Sequence, residues 1–175
     1  MNNIDNLDIA RLIKNLKKED TKYANLCRGI QVIYWVLSPM YLFLVGEEIY
    51  SKGFTYQALG GTFFFMGMIV MAMGFSYFNK VYRYVDYSQP TLIMLKNVVR
   101  RYKPFSTRSW WIIPALIFID LGLSFNNFTR EHVITTQIFF WSVMLVSIII
   151  GLIWWKIRYK YIVDDAKKMI KEIEN

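Results

Sequence analysis

Four stretches of the chain carry almost no charge: Gly29 to Gly46, Gln57 to Phe78, Trp110 to Phe125 and Ile134 to Trp155. Each is roughly 16 to 22 residues long, and about 20 helical residues cover the ~30 Å hydrocarbon layer of a bilayer once interfacial Tyr and Trp are counted. The pattern therefore predicts four spanning helices. Between them the apolar positions turn periodic. Ile9, Leu12, Ile13 and Leu16 fall at i, i+3, i+4 and i+7, one stripe of a helix with lysines opposite. Leu92, Leu95, Val98 and Val99 repeat that spacing, behind Ser88 as a possible cap and Pro90 in the first turn. Past Trp154 no Gly or Pro interrupts a third stripe of Ile162, Ala166, Met169, Ile170 and Ile173, so span four is expected to continue as one helix roughly 28 Å further.

The expected fold is an all-α integral membrane protein of four transmembrane helices in two helical hairpins, with amphipathic cytoplasmic helices. Its segments are 1–28 (cytoplasmic amphipathic helix), 29–78 (first hairpin), 79–109 (basic cytoplasmic connector with a helix), 110–155 (second hairpin) and 156–175 (cytoplasmic helical tail). The halves 1–87 and 88–175 read as similar units, each an amphipathic segment followed by a hairpin.

Composition agrees with this class. At 55% hydrophobic, 18% aromatic and 19% charged, the 175 residues are too apolar for a soluble domain, and a chain this small cannot enclose four such helices. Charge adds orientation. Nineteen of the 21 Lys and Arg fall before the first span, in 79–109 or after 155; only Lys52 and Arg130 lie in the two short connections. The positive-inside rule then puts both termini in the cytoplasm. Met1 to Arg28 is too polar for a signal peptide, so no cleavage is expected. The +8 net charge is explained by placement, and "KVYRYVDY" and "KIRYKY" read as interfacial belts on anionic headgroups rather than as a nucleic-acid surface.

Catalytic and metal chemistry find little material. One His (His132) and one Cys (Cys27), on opposite sides of the membrane, cannot build a metal site or an intrachain disulfide. No nucleophile elbow, Walker loop or dinucleotide fingerprint is present, so no enzyme activity and no cofactor are expected. Cys27 beside Arg28 could have a lowered pKa, with packing the plainer role. Gly60, Gly67 and Gly74 recur on one helix face, and Ser147 with Gly151 forms a small-xxx-small pair; both sets predict close helix packing.

One residue breaks the apolar pattern. Asp120 stands in "ALIFIDLGLSF", about 8 to 12 Å from the outer end of its span, too deep to hydrate freely. It should face other helices, with Thr62 and Gln137 as its leading polar neighbours and Tyr41, Thr135, Thr136 and Ser142 as further donors, and serve either as an interhelical clamp or as a titrating or ligand-binding carboxylate. Pro39 and Pro114 fall inside spans and should bend them.

At "YVDYSQPTLIMLKNVVRRYKPF" and "GIQVIYWVLSPMYL" the chain resembles a group of small, uncharacterised bacterial four-pass membrane proteins. The resemblance implies a bacterial inner-membrane location and carries no activity or functional residue with it. Apolar stripes in the cytoplasm need cover. Either the segments cover one another as a small bundle, or a stripe (Leu12, Leu16, Leu95, Met169, Ile173) docks a partner or lies on the bilayer. The leading expectation is a non-enzymatic regulator, anchor or accessory subunit that binds a cytoplasmic protein this way. The alternative is a homo-oligomeric transporter or channel using Asp120.

Overall fold

The computed structural model describes residues 3–104, 110–126 and 133–174, with side chains from residue 10 onward. Arg108, Arg130 and His132 lie outside the described residues, as does the side chain of Ile9. Six helices and no strands make up the described chain: α1 (Asn3–Lys52), α2 (Tyr56–Arg83), α3 (Thr91–Arg101), α4 (Ile112–Asn126), α5 (Val133–Arg158) and α6 (Lys160–Glu174). Three of them are long and apolar enough to cross a membrane, Ala10–Lys52 within α1, α2 and α5.

The expected first domain boundary does not exist as a break. α1 runs 50 residues without interruption, about 75 Å at helical rise, so the amphipathic segment and the first apolar stretch are one rod. Pro39 sits inside that rod, where the Ser38 Oγ donates to the Tyr34 carbonyl at 2.7 Å. Gly53, with φ 74°, closes the helix in the left-handed region that a side chain would disfavour. Thr55 Oγ1 then accepts from the Ala58 N–H at 3.1 Å and starts α2. α2 returns antiparallel to α1, as ring pairs Tyr41–Phe64, Tyr34–Phe75 and Tyr23–Tyr82 show in turn.

α4 is shorter than its expected span. It covers 15 residues, about 22 Å, and Pro114 lies in its first turn, where a missing N–H costs nothing. The bend expected there is accordingly a helix start. α4 lies antiparallel on the glycine face of α2. A Cβ on Gly60 would stand 2.7 Å from the Asn126 nitrogen, one on Gly67 3.1 Å from Ile119, and one on Gly74 3.9 Å from Trp111.

α3 begins at Thr91 after Pro90, without a side-chain cap; Ser88 instead donates its N–H and hydroxyl to Asp86 Oδ1 at 2.9 and 2.6 Å. The fourth apolar stretch does not continue straight. The helix breaks at Tyr159, although the bonds from Tyr159 N to Trp155 O (2.8 Å) and Val163 N to Tyr159 O (3.2 Å) make this a bend rather than a loop. Past the bend α6 lays Ile162, Val163 and Ala166 into a core with Leu12, Leu16, Met94, Leu95 and Val98. The amphipathic stripes of α1, α3 and α6 thus cover one another. The two halves of the chain differ here, since α3 is a separate helix whereas its counterpart is fused into α1.

Candidate functional site

The buried stripe of α1 runs Leu12, Leu16, Asp20, Ala24, Cys27, with a carboxylate at its centre. Asp20 is 1% exposed, and an ionised carboxylate that deep needs donors. Three reach it. The Tyr102 hydroxyl donates to Oδ1 at 2.6 Å, the Tyr87 hydroxyl donates to Oδ2, and Arg101 Nη2 pairs with Oδ2 at 3.1 Å.

The end of α3 positions two of these groups. Arg101 is its last residue and Tyr102 its C-cap, whose N–H bonds the Val98 carbonyl at 3.0 Å. Helix ends leave carbonyls without partners. Here the Tyr82 hydroxyl serves the Arg101 carbonyl at 3.2 Å and the Trp155 indole serves the Tyr102 carbonyl at 2.7 Å. Arg158 Nε binds Glu19 Oε2 at 2.9 Å beside them. Four helices, α1, α2, α3 and α5, are therefore tied together within one turn of Asp20. One donor stays free: Arg101 Nε is buried without a hydrogen-bond partner.

Electrostatics fixes the proton positions. Burial pushes the Asp20 carboxyl above its ordinary value, and the Arg101 charge and the two phenols pull it back. Burial and the adjacent carboxylate lift Tyr102 and Tyr87 well above the usual phenol range, so both hydroxyls remain protonated donors. Tyr23, in the same layer, is pushed up to about 12 by burial. The cluster is a charge-assisted clamp with no nucleophile in it. Cys27 takes the packing role, buried at 1% exposure, and burial pushes its thiol up to about 11 where a neighbouring Arg28 could have lowered it.

Asp120 occupies a second polar grouping. Ser124 Oγ donates to the Asp120 carbonyl at 2.9 Å, and Gln137 Nε2 donates to Ser124 Oγ at 2.7 Å and reaches the same carbonyl at 3.4 Å. Gln137 therefore bridges α5 to α4 through backbone and Ser124, not through the carboxylate. Thr62 turns away, bonding the Ala58 carbonyl of its own helix at 2.9 Å. The carboxylate Oδ1 is buried and none of the expected donors, Tyr41, Thr135, Thr136 and Ser142 included, bonds it.

The expected docking stripe is largely consumed. Leu12, Leu16 and Leu95 are buried in the α1/α3/α6 core and Met169 packs against it, which leaves Ile173 alone exposed. Gly60, Gly67 and Gly74 are buried against α4, with Gly122 facing Gly60 from the other side. Ser147 and Gly151 are instead exposed: the Ser147 hydroxyl bonds its own helix, and nothing lies within 4 Å of a Cβ on Gly151. Among the described residues no three His, Cys, Asp or Glu side chains cluster as metal ligands.

Sequence reasoning passed over Asp20, Tyr87, Arg101 and Tyr102. One signal was present: Asp20 lies four residues past Leu16, on the apolar stripe rather than opposite it. No protein-family model, curated protein or solved structure matches the chain.

Proposed function

We propose that the chain is a non-enzymatic four-pass protein of the bacterial inner membrane, with both termini in the cytoplasm. It acts as an accessory or regulatory subunit that meets a partner protein's spanning helix along α5. The observation behind this reading is α5 itself. It has no buried residue, and every position from Leu145 to Trp154 is exposed, although Gln137 above and Trp155 below are both engaged. Spanning helices associate through small residues that allow close approach, and Ser147 and Gly151 supply that face. The cytoplasmic helices, closed on themselves, form the rigid part of the molecule rather than its docking stripe.

Four passes are supported by α4 running beside α2 from Gly74 to Gly60, with Trp110 and Trp111 extending it by part of a turn. The basic residues of α1, α3 and α6 gather at one end of the molecule, while Lys52 lies at the other. A reporter fused after Asn175 should be active only in the cytoplasm; periplasmic activity rejects the topology.

A photo-crosslinking residue at Gly151 tests the docking face in native membranes. It should give one discrete heavier product identifiable by mass spectrometry, whereas the same residue at Tyr50 should give none. Lipid adducts alone would remove the partner. A product of twice the chain mass favours the alternative, a homo-oligomeric transporter or channel, for which the buried Asp120 Oδ1 is the supporting observation. Flux in reconstituted vesicles that is indifferent to Asp120→Asn dismisses that alternative.

A further inference from the structure

At the foot of the exposed face of α5 lies a cavity of about 200 Å³, lined by Tyr23 of α1, by α2, by the end of α3 and the chain after it, by the start of α4 and by the end of α5 with Tyr159. Its wall is apolar and aromatic, with Phe75, Phe78, Trp111 and Trp155 among the lining side chains, and Arg101 and Lys103 supply its cationic part. The apolar side does not end at the cavity. Trp110–Pro114 of the α4 start and Leu145–Trp154 of α5 continue it as open apolar surface.

We propose that this cavity seats an anionic membrane lipid, its phosphate at Arg101 and Lys103 and its upper acyl chain along the aromatic wall. Three observations converge. The Arg101 side chain lines the cavity, is 8% exposed and uses Nη2 on Asp20, while its buried Nε has no partner, so the guanidinium has hydrogen-bonding capacity to spare. Phosphate oxygens match that planar fork. Lys103 is exposed and makes no ion pair among the described residues, so its charge is not already neutralised. The level is also right, because Trp111, Trp155 and Tyr159 line the cavity where the apolar helices meet the basic layer, the height at which headgroups lie. Free phosphate would satisfy the cations and leave the aromatic wall without a guest; a lipid satisfies both. Since the same guanidinium holds Asp20, the lipid joins the network that ties α1 to α3.

The inference rests on the membrane placement proposed above, and the two fail differently. A chain that stays in solution without detergent refutes the placement. The lipid site is tested on the full chain in mild detergent, by native mass spectrometry with phosphatidylglycerol, phosphatidylcholine of the same acyl chains, or inorganic phosphate. One phosphatidylglycerol per chain should be retained about tenfold more strongly than phosphatidylcholine, and inorganic phosphate at millimolar concentration should not displace it. Lys103→Gln, at an exposed position that leaves the fold intact, should weaken retention about fivefold, the effect of one basic residue near a headgroup. Met71→Trp, which fills the cavity from its wall, should remove the preference. Equal retention of the two lipids, displacement by phosphate alone, or a preference that survives both substitutions overturns the proposal.

Discussion

Two of the seams in this molecule, α2 on α4 and α1 with α3 and α6, are built from different materials. Where α2 meets α4, Gly60, Gly67, Gly122 and Ala115 let the two backbones come close, and Phe63 stacks on Phe118 and Phe125 beside them. Where α1, α3 and α6 meet, the contact is made by Leu16, Leu95, Val98 and Ile162, all fully buried. In water, branched side chains stabilise a seam because burying them removes apolar surface from solvent. In lipid that drive is absent, since hydrocarbon tails are as apolar as leucine, and helices gain instead from close approach. The membrane placement proposed above sets the boundary between the two solvents near the level of Gly74 and Trp111, where the material changes.

The comparison can be broken from its costliest element downward. Asp20→Asn leaves Arg101 buried without its counter-charge and should destabilise the α1/α3/α6 seam by about 3–5 kcal/mol. Thermal unfolding in detergent, followed by circular dichroism, reads the loss, and the double change Asp20→Leu, Arg101→Met should recover most of it. A variant as stable as the parent would show the pair to be peripheral. Leu16→Ala comes next, at roughly 3 kcal/mol for a buried leucine with its cavity, and the same melt reads it. Alkaline titration reports on the clamp itself. Tyr87 and Tyr102 hold their protons in the folded state beyond the ordinary phenol value of 10.0, so their contribution is complete below that pH and is lost as pH rises past it. Phenolate absorbance should therefore appear for these two only together with unfolding.

Gly60→Ala tests the other seam. The new methyl would meet the Asn126 nitrogen at 2.7 Å and the Gly122 carbonyl at 2.9 Å, and backbone cannot swing aside as a side chain can. A cost of about 1–3 kcal/mol is expected, with cysteine crosslinks between the α2 and α4 faces weakened. Gly151→Ala should do least, within about 0.5 kcal/mol, because no described residue outside its own helix lies within 4 Å of the added methyl. If the two glycine substitutions cost the same, close approach is not what the α2 glycines provide.

Much of this architecture could be read beforehand. The uncharged stretches became apolar helices, the spacing Leu12, Leu16, Leu95 marked a core face, and the period-seven glycines marked a close helix contact. Other features depend on tertiary geometry that pattern does not carry. Asp20 and Arg101 are 81 positions apart, and each sits among lysines and arginines that favour a solvated reading, so their pairing emerges only once α3 docks on α1. The bend at Tyr159 has no Gly or Pro to announce it; it lets α6 reach α3. Ser147 and Gly151 put small residues on one helix face as the α2 glycines do, yet among the described residues no other helix lies within 4 Å of a Cβ on Gly151. Spacing says that a helix could approach, not which one does.

α1 has no joint. From Lys52 to Leu12 it is a single helix about 60 Å long at helical rise, one end near Glu48 and the other locked into the core by Leu16 and Asp20. A swivel imposed at the far tip meets only Pro39 on its way, and what passes that point reaches the buried end as torque on the Asp20 carboxylate.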